Sequence, residues 1–169
     1  VTGGTVLING SGNVVFTPAA NFNGSASFTY TVQDNGTSGS PATADPKTSN
    51  AATVSFTITE VNDGPTAGDI TLANIAEDSG TYVIPISTLL ASVSPGPANE
   101  SGQMLTLTSV LAPNGGTVAI VGSNVEFTPT PNFNASSGLR FIIEVFDNGT
   151  TNGAPSPVNI TTGVFFAIT

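Results

Sequence analysis

The sequence predicts an all-β protein built as tandem Greek-key β-sandwiches, the first of them incomplete. Three observations predict this: short runs in which apolar and polar residues alternate, Asn-Gly pairs between those runs, and a set of sequence blocks that occurs twice in the same order. Alternation at period two puts one set of side chains on one face of a strand, so each run reads as a half-buried strand. Composition agrees. Apolar residues make up 38% of the 169 and mean hydropathy is +0.22, enough for a packed core, while charged residues are only 8%. Solubility therefore falls to Thr, Ser, Asn and Gly, which strands and polar turns use and helices do not favour.

Taken in order, Phe28, Tyr30 and Val32 share one face of a strand, and Val54, Phe56 and Ile58 share one face of the next. Further on, Tyr82, Ile84 and Ile86 alternate, then Leu105 and Leu107, then Phe141, Ile143 and Val145, then Val164, Phe166 and Ile168. Ile142 and Phe146 fall on the Arg140/Glu144 face and are expected to pack beneath a loop or a neighbour. The pairs Asn9-Gly10, Asn35-Gly36, Asn114-Gly115 and Asn148-Gly149 are expected to supply positive φ at turns. Several short strands at this spacing indicate sandwiches.

The repeat sets the domain organisation. Gly3-Gly4-Thr5-Val6 recurs as Gly115-Gly116-Thr117-Val118, and Phe16-Thr17-Pro18 as Phe127-Thr128-Pro129. Asn21-Phe22-Asn23 recurs as Asn132-Phe133-Asn134, and Asp34-Asn35-Gly36-Thr37 as Asp147-Asn148-Gly149-Thr150. The second copy carries an extra N-terminal half, from about Thr66 to Ala112. Residues 1–62 thus read as the C-terminal part of one repeat and 63–169 as a nearly complete second one. The linker is 59–65, where Gly64-Pro65 stops strand pairing. So short a connection predicts stacked modules. The chain opens at Val1 in mid-repeat and is expected to be a segment of a longer polypeptide.

Charge and missing residue types exclude several functions. Eleven acidic residues face two basic ones, for a formal charge of −9. Nucleic-acid binding needs clustered Lys/Arg, so no nucleic-acid partner is expected. No apolar run approaches the ~20 residues of a membrane helix, so direct membrane insertion is not expected either. With neither Cys nor His, thiol catalysis, Ser-His-Asp chemistry and structural zinc are excluded. Uncompensated carboxylates suit an oxygen-loving divalent cation, and Ca2+ fits best.

At the junction, Val32-Gln33-Asp34-Asn35-Gly36 followed by the alternating run Ala52–Thr59 and Glu60-Val61-Asn62-Asp63-Gly64-Pro65 resembles the end of a cadherin repeat. The Phe-Thr-Pro and Asn-Phe-Asn-Gly blocks, and the segment from Ser94 to Gln103, are similar to bacterial cadherin-like (immunoglobulin-like) tandem repeats of large surface proteins and adhesins. This resemblance implies Ca2+ between modules. Glu60, Asn62 and Asp63 would be the linker ligands, Asp147 a top-loop ligand, and Asn99 and Glu100 the counterpart of an acidic loop. Glu77 would serve the opposite end, assisted by Asn132 or Asn134, and Asp34 would be the top ligand of the first repeat. It further implies a secreted, extracellular or cell-surface location and a non-catalytic structural or adhesive role, as an extender or filament building block. Partners would be neighbouring repeats and identical chains in an assembly. The sequence departs from the animal pattern: Glu60 stands where Asp is usual, no Asp-x-Asp pair appears in the second top loop, and Asn-Phe-Asn replaces an acidic motif. Fewer or weaker ions are the consequence.

Plainer readings stand beside these. Asp34 and Asp147 precede Asn-Gly and suit ordinary turns; Glu77-Asp78 could begin a strand; Asp45, in the Thr37–Asn50 loop, reads as solvated, and Asp69 and Glu126 as exposed. Asn-x-Ser/Thr sequons at Asn9, Asn23, Asn35, Asn99, Asn134, Asn148 and Asn159 arise readily in this composition. Lys47 lies in a loop, a poor place for an isopeptide staple. The alternative function is a module that binds glycan or a partner protein, for which the absence of Trp and the scarcity of Tyr provide poorly. An enzyme would have to rely on paired carboxylates.

Overall fold

The computed structural model describes residues 1–133 and 135–169. The chain divides into two compact units, Val1–Glu60 and Val61–Thr169.

Unit 1 contains strands β1 (Gly4–Ile8), β2 (Val14–Pro18), β3 (Gly24–Tyr30), β4 (Thr37–Ser38), β5 (Thr43–Ala44) and β6 (Ala52–Ile58). β1 and β2 form an antiparallel hairpin, as do β4 and β5, while β3 pairs with β6. The hairpin loop is held by Asn9, whose Oδ1 accepts from the N–H groups of Ser11 and Asn13. Phe16 and Phe56 meet edge to face with centroids 4.9 Å apart.

Unit 2 continues with β7 (Thr66–Ala67), β8 (Ile70–Thr71), β9 (Tyr82–Pro85), helix α1 (Ile86–Leu90), β10 (Val93–Ser94), a 3-10 turn at Ala98–Glu100 and β11 (Thr106–Leu111). It ends with β12 (Gly116–Val121), β13 (Asn124–Pro129), β14 (Ala135–Phe146), β15 (Thr150–Thr151), β16 (Ala154–Pro155) and β17 (Asn159–Ile168). One sheet has the order β11-β14-β17-β8, the other β12-β13-β9. The two enclose a core of Ile84, Leu89, Leu107, Val125, Phe127, Phe141, Ile143, Val145, Val164 and Phe166. At its centre the Phe127 ring meets Phe166 edge to face at 4.9 Å. The alternation in β14 from Leu139 to Val145, and in β17 from Thr162 to Ile168, thus lands one face inward, which is the physical basis of the sandwich.

Each repeated block has a structural cause. Asn21 and Asn132 both adopt left-handed backbone, with φ of 55° and 57°, a conformation Asn tolerates better than most residues. The Phe that follows each one lies against a glycine, Phe22 on Gly3 and Phe133 on Gly115, where a Cβ would strike the ring. The Gly-Gly and Asn-Phe-Asn blocks recur together because they pack on each other.

Two expectations are corrected. Ile86 is not a strand residue: β9 ends at Pro85 and the chain turns into α1, burying Leu89 completely. Of the four Asn-Gly pairs only Gly115 has positive φ. Gly36 and Gly149 instead donate their N–H groups to Asp34 and Asp147, in Asx turns that need no left-handed residue.

Candidate functional site

In unit 2, β14 runs out at Phe146 and the next residue, Asp147, is 4% exposed. Its Oδ1 accepts from the N–H groups of Gly149 at 3.1 Å and Val158 at 2.9 Å, while its own N–H donates to the Val158 carbonyl. The carboxylate therefore staples the two ends of the β15–β16 excursion. Asn62, near the start of the unit, lays its carboxamide across this staple. Its Nδ2 donates to Asp147 Oδ1 at 3.0 Å, to Oδ2 at 3.1 Å and to the Ser156 carbonyl at 2.9 Å, and its backbone N–H donates to Thr151 Oγ1. Gly149 is required beneath it, because a Cβ there would overlap the Asn62 carboxamide.

A second carboxylate comes from the 3-10 turn. Glu100 is 1% exposed, and its oxygens accept from Asn99 Nδ2 and Gln103 Nε2. Gln103 Nε2 also donates to Asn62 Oδ1 at 2.7 Å, joining the Glu100 and Asp147 halves into one network. The Asp63 carbonyl oxygen and the Glu100 side chain both lie close to Gly96. Gln103 Oε1 is buried and has no hydrogen-bond partner among the described residues.

The chemistry of this network is unbalanced. Two buried carboxylates are held by amide donors, and among the described residues the ion pair present is Lys47–Asp45, in unit 1. Burial of charge without a counter-charge is costly, and so is an orphaned buried oxygen. One cation would answer both. Glu100, Asp147, Asn62 and Gln103 supply carboxylate and carboxamide oxygens, the hard ligands that calcium takes six to eight at a time.

The structure thus brings together Asn62, Glu100 and Asp147, with Asn99 supporting Glu100 and the Asp63 backbone nearby. It does not assemble an all-acid cluster: no group of three or more acidic residues within metal-binding reach occurs among the described residues. Carboxamides take those positions. Gln103 was missed from sequence; its signal is the turn spacing of Glu100-Ser-Gly-Gln103, whose N–H closes onto the Glu100 carbonyl. Glu77 lies elsewhere. Its N–H bonds the carbonyl of Thr169, beyond the end of β17, whereas Asp147 precedes the start of that ten-residue strand, roughly 30 Å away along it. At that end Asp78 Oδ1 accepts from the Asn132 N–H at 3.3 Å, and Asn134 is outside the described residues. Glu60 closes unit 1.

Asp34 repeats the staple in unit 1, accepting from Lys47 N–H at 2.8 Å and Gly36 N–H at 3.0 Å. Those two backbone donors, Lys47 first, hold its carboxyl below the usual carboxylate value. A depressed value means the charged form favours the fold: the contribution is complete above pH ~4, the ordinary value, and is lost as pH falls through the folded one. Asp34→Ala is expected to remove this acid-limb dependence from unit 1, read by hydrogen exchange at the Lys47 amide between pH 2 and 5. Asp45 is lowered too, chiefly by the Lys47 ammonium 2.6 Å away, but both side chains are exposed and the pair contributes little.

A family description, "Cadherin-like domain", matches residues 1–59 and again 61–161. The chain belongs to the cadherin-like domain family. Cadherin-like domains are non-enzymatic structural or adhesive modules and typically bind calcium outside the cell. No curated protein matches the chain. Among solved structures it is similar to an endo-fucoidan hydrolase of glycoside hydrolase family 107, at 14% identity and a TM-score of 0.33. That similarity covers 92% of this chain but only 20% of the hydrolase, and is too distant to carry an argument. No helix among the described residues is long and apolar enough to cross a membrane.

The Asn62 contact has a testable consequence. Gly149→Ala is expected to displace the Asn62 carboxamide from Asp147 and the Ser156 carbonyl and to lower the melting temperature of unit 2, with the sandwich intact by circular dichroism. Differential scanning calorimetry in EDTA reads it.

Proposed function

We propose that the chain is a calcium-rigidified module of a large extracellular bacterial repeat protein, acting as an extender or filament building block. The observation that carries this reading is the Asn62–Glu100–Gln103–Asp147 network, in which two buried carboxylates and a buried, unpartnered Gln103 oxygen are joined by half-buried amides with no basic side chain among the four. Bound calcium would supply the missing positive charge. The chain's own residues do the rest. Asp147 ties down the loop after β14, Glu100 is presented by its 3-10 turn, and Asn62 bridges to them from the first residues after unit 1. Because Asn62 lies two residues past Glu60 in the chain, fixing it restrains the connection between the units; that restraint is the proposed mechanical function.

Small-angle scattering of the chain in calcium and then in EDTA tests it. The reading expects a larger radius spread and a more flexible profile after chelation. Identical profiles under the two conditions would count against the stiffening role.

A further inference from the structure

The two sheets of the unit 2 sandwich have four outer strands, and three of them are poor templates for another strand. In the sheet β11-β14-β17-β8, β8 is only two residues long and β11 is bulged between Leu107 and Ser109. In the sheet β12-β13-β9, β9 has four residues and ends in Pro85. Shortness, a bulge and a proline are the usual devices that keep an edge from pairing with another chain.

β12 has none of them. Gly116–Val121 pairs with β13 in unbroken register over all six residues, with no proline and no charged side chain. Thr117, Ala119, Ile120 and Val121 are exposed, the last two at 37% and 47%. The ladder also fixes which backbone groups face outward. Thr130 N–H donates to the Gly115 carbonyl, and the hairpin closes through the two residues Gly122-Ser123. Thr117, Ala119 and Val121 therefore direct their N–H and C=O groups to β13. Those of Gly116, Val118 and Ile120 alternate with them and point away from the sheet. Among the described residues no strand pairs with that edge.

We propose that β12 is a docking edge for a second copy of this chain, whose own β12 adds to it antiparallel and continues the sheet. A two-fold axis normal to the sheet through Val118 sets Val118 against Val118 and Gly116 against Ile120. These are the outward-facing residues of both copies, and each such pair exchanges two hydrogen bonds. Thr117 then falls beside Ala119. Charge selects the same occupant. At a formal −9, two copies repel over most of their surface, yet this seam brings no carboxylate into it. Glu126, opposite Ala119 on β13, is set back by one strand. A basic partner strand would find no carboxylate on β12 to pair with, whereas an uncharged strand matches it, and β12 is itself such a strand. The contact adds a side-by-side association to the building-block role proposed above. It rests on β12 and not on the calcium network, so it is tested in EDTA as well as in calcium.

Sedimentation velocity of the whole chain from ~10 µM to ~1 mM is expected to show a dimer that grows with concentration, weak because one strand pair is a small interface. Its fraction is expected to be the same in both buffers and to rise between ~0.05 and ~0.5 M salt, as screening removes the repulsion between copies. Ile120→Pro removes an N–H that β13 does not use, at an edge position where proline is tolerated. It is expected to weaken dimerisation at least ~10-fold with the monomer still folded by circular dichroism. A second measurement needs no loss of function. The chain has no cysteine, and Val118→Cys places one on the two-fold axis, where facing Cα atoms lie about 5.5 Å apart. It is expected to oxidise to a disulfide-linked dimer at least ~10-fold faster than Val83→Cys on the β9 edge. A chain that stays monomeric over the whole range overturns the proposal. So does a dimer that Ile120→Pro leaves unchanged and that links no faster at position 118 than at position 83.

Discussion

Asp147→Ala is expected to destabilise unit 2 by about 3 kcal/mol or more, the largest single effect of any substitution outside the core. The carboxylate is buried and accepts from Gly149 N–H, Val158 N–H and Asn62 Nδ2; removing it orphans three donors, at about 1–3 kcal/mol for each that water cannot reach. For a domain near this size 1 kcal/mol moves Tm by roughly 4–8 °C, so calorimetry should show a fall on the order of 15 °C in EDTA. Asp147→Asn separates the two roles of this residue. The amide oxygen can still accept from the two backbone N–H groups, so the loss in EDTA is expected to be small, while the response to calcium disappears with the charge.

The second large effect is expected from the proposed calcium site. A ligand at about 100 times its dissociation constant stabilises the state it binds by about 2.7 kcal/mol, which on the same scale is a rise in Tm of at least ~10 °C. Glu100→Gln is expected to abolish that rise. In EDTA the same substitution is expected to leave stability unchanged or slightly raised, because it removes a buried charge that is held, among the described residues, by the amides of Asn99 and Gln103, and neutral replacement of such charges is often favourable. The crossing of the two variants' stabilities, between calcium and EDTA, separates a metal site from a network of ordinary hydrogen bonds. Differential scanning calorimetry in both buffers measures it.

Much of this was legible in the chain. The apolar faces of β14 and β17 were read from alternation alone, because both faces of a sandwich core impose period two and nothing local competes with it. The repeated Asp-Asn-Gly blocks marked the two staples for the same reason: an Asx turn writes itself into consecutive residues. Ile86 misled because Pro85 lies inside an apparently continuous alternation, and a short helix that buries only Leu89 has no periodic signature. Gln103 was passed over because neutral amides do not stand out as ligands in a sequence rich in Asn and Gln-like polarity; only the turn that folds it back onto Glu100 shows its place. The joining of Asn62 to Asp147, 85 residues apart, is a tertiary fact that spacing does not encode. The repeat shows that 66–112 lacks a counterpart in residues 1–62.

Isothermal titration of calcium into the whole chain, repeated with Glu100→Gln and with Gln103→Ala, tests the central claim most directly. The account predicts saturable uptake by the wild type, loss of it in Glu100→Gln, and an affinity at least ~10-fold weaker in Gln103→Ala. No heat of binding in the wild type, or uptake that neither substitution alters, would contradict it.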